Sequence, residues 1–127
     1  MIHQEHLLTN LFDAFPAFVP DTDAVDLPYI VLGEFARFVI DIFESGDSTE
    51  LRKAIELIEL LHTDGDPFVR EAATIGLLEG IQNTWLARGA IPHGFEESLL
   101  PESRRWWDSL NGFWSRSIPY VGADLQK

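Results

Sequence analysis

The stretch from Asp64 to Gly80, DGDPFVREAATIGLLEG, constrains the fold more than any other part of the chain. Asp66 carries an oxygen that accepts from the free N–H groups of a helix start, and Pro67 suits the first helical position because it has no N–H to satisfy. Beyond them the apolar residues are not confined to one stripe. Val69, Ala72, Ala73 and Gly76 form one side, and Ile75, Leu78, Ile81 and Trp85 form another. A helix apolar around most of its circumference has to be surrounded by other elements. The small side chains of Ala72, Ala73, Gly76 and Gly80 let those elements come close. The pattern predicts a central helix from Pro67 to Arg88, stopped by Gly89.

The neighbours are also helical. Stepping about 100° per residue from Phe35 places Val31, Leu32, Phe38, Val39 and Ile42 within roughly 60° of it, with Glu34, Arg37, Asp41 and Glu44 opposite. Pro28 opens this helix and Gly46 ends it, and Arg37 is expected to pair weakly with Glu34 and Asp41. Asp47 or Ser48 caps a second helix whose buried face is Leu51, Ala54, Ile55, Ile58 and Leu61, with Gly65 as its stop. With Leu110 as origin, Trp106, Trp107, Phe113 and Trp114 fall within about 60°, so the tryptophan-rich segment reads as a core-facing helix. Leu7, Leu8, Leu11, Phe12 and Phe15 support an opening helix. Residues 16–28 read as a Pro- and Asp-rich loop, residues 89–102 as a connector, and residues 118–127 as an irregular tail. No strand alternation appears. The 127 residues, 46% of them apolar, predict one domain over 1–127: an all-α compact bundle of about five to six helices.

Charge is the strongest bulk signal. The net charge is −12, and it is uneven: residues 1–50 hold ten acids against the single base Arg37. Such a field disfavours nucleic acid and anionic membrane and speeds encounter with a basic protein. Arg104 and Arg105 beside the tryptophans do not reverse it. The chain has no cysteine, which removes disulfides and thiolate chemistry and fits a reducing compartment. The first residues lack a basic, apolar leader and no apolar run reaches about 20 residues, so neither export nor a membrane span is expected.

Catalysis finds little support. His3 and His6 are spaced to share a metal, but nothing completes a tetrahedral set. His62 falls on the apolar side of its helix and reads as a half-buried packing residue; His93 lies in the connector. Calcium-loop spacing from Asp64 places Ile75 where the bidentate acid belongs, and from Asp21 it places Leu32 there. Glu79 shares a helix side with Ala72, Ile75 and Gly76, which reads first as a partly buried acid paired with an arginine at the helix boundary. No catalytic residue, metal or cofactor is expected.

Two resemblances add to this reading. The residues Asp66, Pro67, Val69, Arg70, Ala72 and Ala73, with the helix before them, resemble one unit of a HEAT repeat, which implies an antiparallel helical hairpin. LPYIVLGEFARFVIDIF, VREAATIGLLEGIQN and ESRRWWDSLNGFW together resemble small, acidic, all-helical bacterial immunity proteins of polymorphic or secreted toxins. That resemblance implies a cytoplasmic antidote, monomeric when free, that binds one basic toxin and occludes its active site or target surface. The alternative is a HEAT-like adaptor or regulatory subunit for a basic protein. Asp21, Asp23, Asp26, Glu34, Asp41, Glu44 and Asp47 are the expected contact acids. Trp85 joins them as an apolar anchor, because tryptophan is enriched at interface hot spots.

Overall fold

The helices Pro28–Ser45 and Ser48–Asp64 and the central helix form where apolar residues at helical spacing meet a start signal. The computed structural model describes residues 1–20 and 27–115, with the backbone alone for 112–115. A 3-10 turn at Gln4–His6 leads into α1, Leu7–Ala14. α2 is Pro28–Ser45, begun by Pro28 and ended by Gly46 in the left-handed conformation at φ 80°. α3 is Ser48–Asp64, capped by the Asp47 carboxylate, which accepts from the Glu50 N–H at 3.1 Å. The central helix has three parts: α4, Pro67–Glu71, a π-helical segment, Ala72–Leu78, and α5, Glu79–Ala87. Its backbone stays helical through both joints, at Ala72 and Leu78, so the three parts run on as one rod. α6, Phe95–Ser98, and α7, Pro101–Ser115, follow. Among the described residues this is the all-α bundle that the periodicities predict. The acids of the 21–26 loop, the side chains of Phe113 and Trp114, and the tail lie outside the described residues.

The π-helical segment departs from the sequence reading. Its i→i+5 register widens the turn and rotates later side chains away from α-helical stepping. Leu77, which no apolar side claimed, is fully buried, whereas Ile75 is only half-buried. The segment presses on α2: a Cβ built on Gly76 would lie 2.8 Å from Leu32 Cδ1, and one on Gly80 would lie 3.3 Å from Ala36 Cβ. The central helix packs more extensively on α2 than on α3, its partner across the Gly65 turn.

That turn is held by the N-terminal residues. The Ile2 N–H donates to the Asp64 carbonyl at 2.6 Å, and the Asp66 N–H donates to the Ile2 carbonyl at 2.8 Å. Asp66 Oδ1 accepts from the Val69 N–H at 2.8 Å, while Oδ2 accepts from the Gln4 N–H at 2.9 Å. The Val69 N–H is the main reason the Asp66 carboxyl is held below its ordinary range, with Gln4 and His3 adding to it. Gly65 has an ordinary φ of −81°. Glycine is needed there for space, since a Cβ would lie 2.6 Å from Val69 Cγ1.

Two aromatic clusters fill the core. Phe15, Phe18, Phe35 and Phe38 have centroids 5.1 to 5.8 Å apart and join the α1 end to α2. Phe43, Trp85, Phe95 and Trp107 chain together at 5.0 to 5.6 Å and draw α2, α5, α6 and α7 into one corner. Trp107 is fully buried, as the tryptophan stripe predicts, and Trp106 is half-buried.

Candidate partner-binding surface

Burial of Val31, Leu32, Phe35, Ala36, Val39 and Ile40 fixes which side of α2 faces inward. The other side carries Ile30, Glu34, Arg37, Asp41 and Glu44. Their spacing of four, three, four and three residues confines them to roughly 80° of arc along about 21 Å of helix. Ile30 is 49% exposed, and Leu27, just before the helix, is 51% exposed. Arg37, Asp41 and Glu44 are exposed, and Glu34 is half-buried. The fold thus aligns three of the sequence-predicted acids on one outward stripe with an apolar end.

These acids do not behave alike. Glu44 Oε2 accepts from the Trp85 indole N–H at 3.3 Å, and its other oxygen lies 3.6 Å from Arg88 Nη1. Asp47 caps α3 from an exposed position. Asp41 has no ion pair among the described residues: the basic side chains Lys53, Arg88, Arg104 and Arg105 pair with Glu50, Glu44, Asp108 and Glu102. The expected Arg37–Asp41 pair is therefore absent, and the Asp41 charge points into solvent.

Trp85 requires a correction. It is 2% exposed, enclosed by Phe43 and Phe95, so it serves the core and steadies Glu44 rather than offering a contact face. Glu79 also differs from expectation. Among the described residues no basic side chain pairs with it, and the boundary arginine, Arg88, turns to Glu44 instead. Burial alone pushes the Glu79 carboxyl above its ordinary value.

Elsewhere, His3 and His6 are exposed with centroids 6.4 Å apart, and His93 is exposed. No three His, Cys, Asp or Glu residues among the described ones are grouped to hold a metal ion. An open groove of about 480 Å³ runs beside the first half of α3, lined by Ser48, Leu51, Arg52, Ile55, Glu56, Ser98 and Leu100. Among the described residues no helix is long and apolar enough to cross a membrane.

Sequence reasoning missed a polar joint. Glu59 accepts from the Ser103 N–H and hydroxyl, both at 2.8 Å, and from the Glu102 N–H at 3.1 Å. A carboxylate of α3 thereby caps α7 from outside. Burial draws the Glu59 carboxyl upward, but these hydrogen bonds outweigh it and hold the group below its ordinary value. His62, beside it, is 4% exposed, more enclosed than its helical angle suggested. A serine two places after a helix-opening proline was the available signal, but its partner lies 44 residues away.

Fold and surface define a small all-helical domain with acids aligned along the outer side of α2. The chain belongs to the DUF7674 family, a domain of unknown function, whose profile covers residues 8–115. No curated protein and no solved structure matches the chain.

Proposed function

We propose that this protein is a cytoplasmic immunity protein. It binds one basic bacterial toxin along the outward stripe of α2 and occludes the toxin's active site or target-binding surface. The observation that carries the reading is the exposed Asp41 carboxylate, which has no basic partner among the described residues, on a stripe shared with Glu34 and Glu44. Residues 1–50 hold ten acids against one base, and such an excess of one sign steers an oppositely charged partner even though Arg37 lies within the stripe. The exposed Ile30 and Leu27 at one end supply the apolar contact that charge alone does not. The sequence resemblance to immunity proteins points the same way.

The test is genetic. A toxic secreted protein encoded beside this gene should arrest growth when expressed alone, and co-expression of this chain should restore it. Persistent arrest under co-expression would contradict the proposal. A second reading, an adaptor for a basic cellular protein, draws on the open groove beside α3. It predicts a stable, non-toxic partner.

A further inference from the structure

Three helices meet at His62. Nδ1 of this α3 side chain lies 2.9 Å from the Ile58 carbonyl and 3.5 Å from Ser103 Oγ of α7. Nε2 lies 2.9 Å from Thr74 Oγ1 of the π-helical segment, and Thr74 Oγ1 is itself 3.3 Å from the Arg70 carbonyl. The proton positions follow from the acceptors. The Ile58 carbonyl can only accept, so Nδ1 carries a hydrogen. The Ser103 hydroxyl donates to Glu59, so it turns a lone pair toward Nδ1. The Thr74 hydroxyl has one hydrogen and two acceptors within reach, the Arg70 carbonyl and, in the neutral ring, Nε2.

A proton arriving at Nε2 changes this arrangement. Nε2 becomes a donor, and the Thr74 hydroxyl is left with the Arg70 carbonyl. The new positive charge is buried and sits against the first turn of α7, the positive end of that helix dipole. The charged groups acting on the ring are Glu59 of α3 and Glu102 of α7. Glu59 is already engaged with the α7 N–H groups. From the π-helical segment the Thr74 hydroxyl is the ring's hydrogen-bond partner, and it in turn reaches the Arg70 carbonyl. We infer that His62 is a proton-sensitive latch: neutral, it holds α7 on α3 and the π-helical segment, and protonated, it loosens α7.

Burial, the largest influence, lowers the affinity of His62 for protons in the closed state despite its two neighbouring carboxylates. Opening α7 returns the ring to water and to its ordinary value, so opening takes up a proton. The closed state is favoured fully above the ordinary histidine value. That advantage declines as pH falls from there toward the lowered one, by up to about tenfold in the opening equilibrium per pH unit.

Amide hydrogen exchange read as protection factors at about pH 7.5 and about pH 5 tests the latch in the full chain, with the wild type and His62→Gln compared. The expected result is an α7 protection that drops severalfold or more at the lower pH in the wild type, with α1 unchanged, and a pH-independent α7 in His62→Gln. Equal α7 protection at both pH values in the wild type, or the same drop in the variant, would overturn the inference. Should His62→Gln fail to fold, the wild-type imidazole titration followed by NMR decides. His62 should titrate below the ordinary histidine value and in step with α7 amide shifts; titration at or above that value, or without those shifts, would overturn it.

Discussion

Glu59 and Ser103 are joined by two hydrogen bonds of 2.8 Å, from the Ser103 amide and hydroxyl to one carboxylate oxygen. A helix N-terminus leaves N–H groups unsatisfied, and here α3 supplies the acceptor for α7. Replacing Glu59 with Ala should lower stability by about 0.5–2 kcal/mol, the range for a lost cap. Because the Glu59 carboxyl is held below its ordinary value, this contribution is present above that value and is lost as pH falls through the folded one. Denaturant melts of wild type and Glu59→Ala should therefore differ at neutral pH and converge in acid. Equal stabilities at neutral pH would show the cap to be dispensable.

Leu78, at the joint of the π-helical segment and α5, is fully buried. Leu78→Ala should cost about 2–5 kcal/mol. A loss below about 1 kcal/mol in urea melts would place the central helix at the periphery, against its burial.

Gly65 tests the turn between α3 and α4. A Cβ there meets Val69 at 2.6 Å, so Gly65→Ala should destabilise by about 1–3 kcal/mol although its φ suits alanine. Gly33→Ala is the control, because a Cβ there meets nothing within 4 Å. Its thermal midpoint should stay level or rise, since alanine favours a helix by up to about 1 kcal/mol. Equal midpoints for both variants would contradict the steric account.

The proposed role uses no histidine chemistry at the exposed rings. His3→Ala, His6→Ala and His93→Ala should each keep full protection in the growth assay. One that loses protection while keeping its fold and partner affinity would return catalysis to consideration.

The sequence made the helices legible because their burial is a local, periodic property. Phe35, Leu110 and Ala72 each predicted a face, and each of these three residues is buried. What stayed hidden depends on distance or on register. The Glu59–Ser103 cap spans 44 residues, and nothing near either residue announces the other. The π-helical register moved Leu77 inward and left Ile75 half-buried, against a reading that assumes one pitch. Trp85 was misread because an aromatic side chain suits core and interface equally; only the rings of Phe43 and Phe95 around it decide. The acids of α2 were predicted as a group, but their division of labour was not, since Glu44 serves Trp85 and Arg88 while Asp41 serves neither.

That division selects the substitution for testing the binding surface. Glu44→Lys would disturb the core through Trp85, whereas Asp41→Lys reverses a solvent-facing charge and should leave folding within about 0.5 kcal/mol. Once the partner is in hand, its association rate with wild type, Asp41→Lys and Glu97→Lys, measured at about 0.01 M and 0.15 M salt, is the most direct measurement, because screening shortens from about 30 Å to 8 Å over that interval. The account predicts that association with wild type and Glu97→Lys is fast at low salt and slows by about tenfold or more as salt rises. Asp41→Lys should already be slow at low salt. Wild-type rates for Asp41→Lys, or a wild-type rate that salt leaves unmoved, would contradict the claim that this domain meets a basic partner along α2.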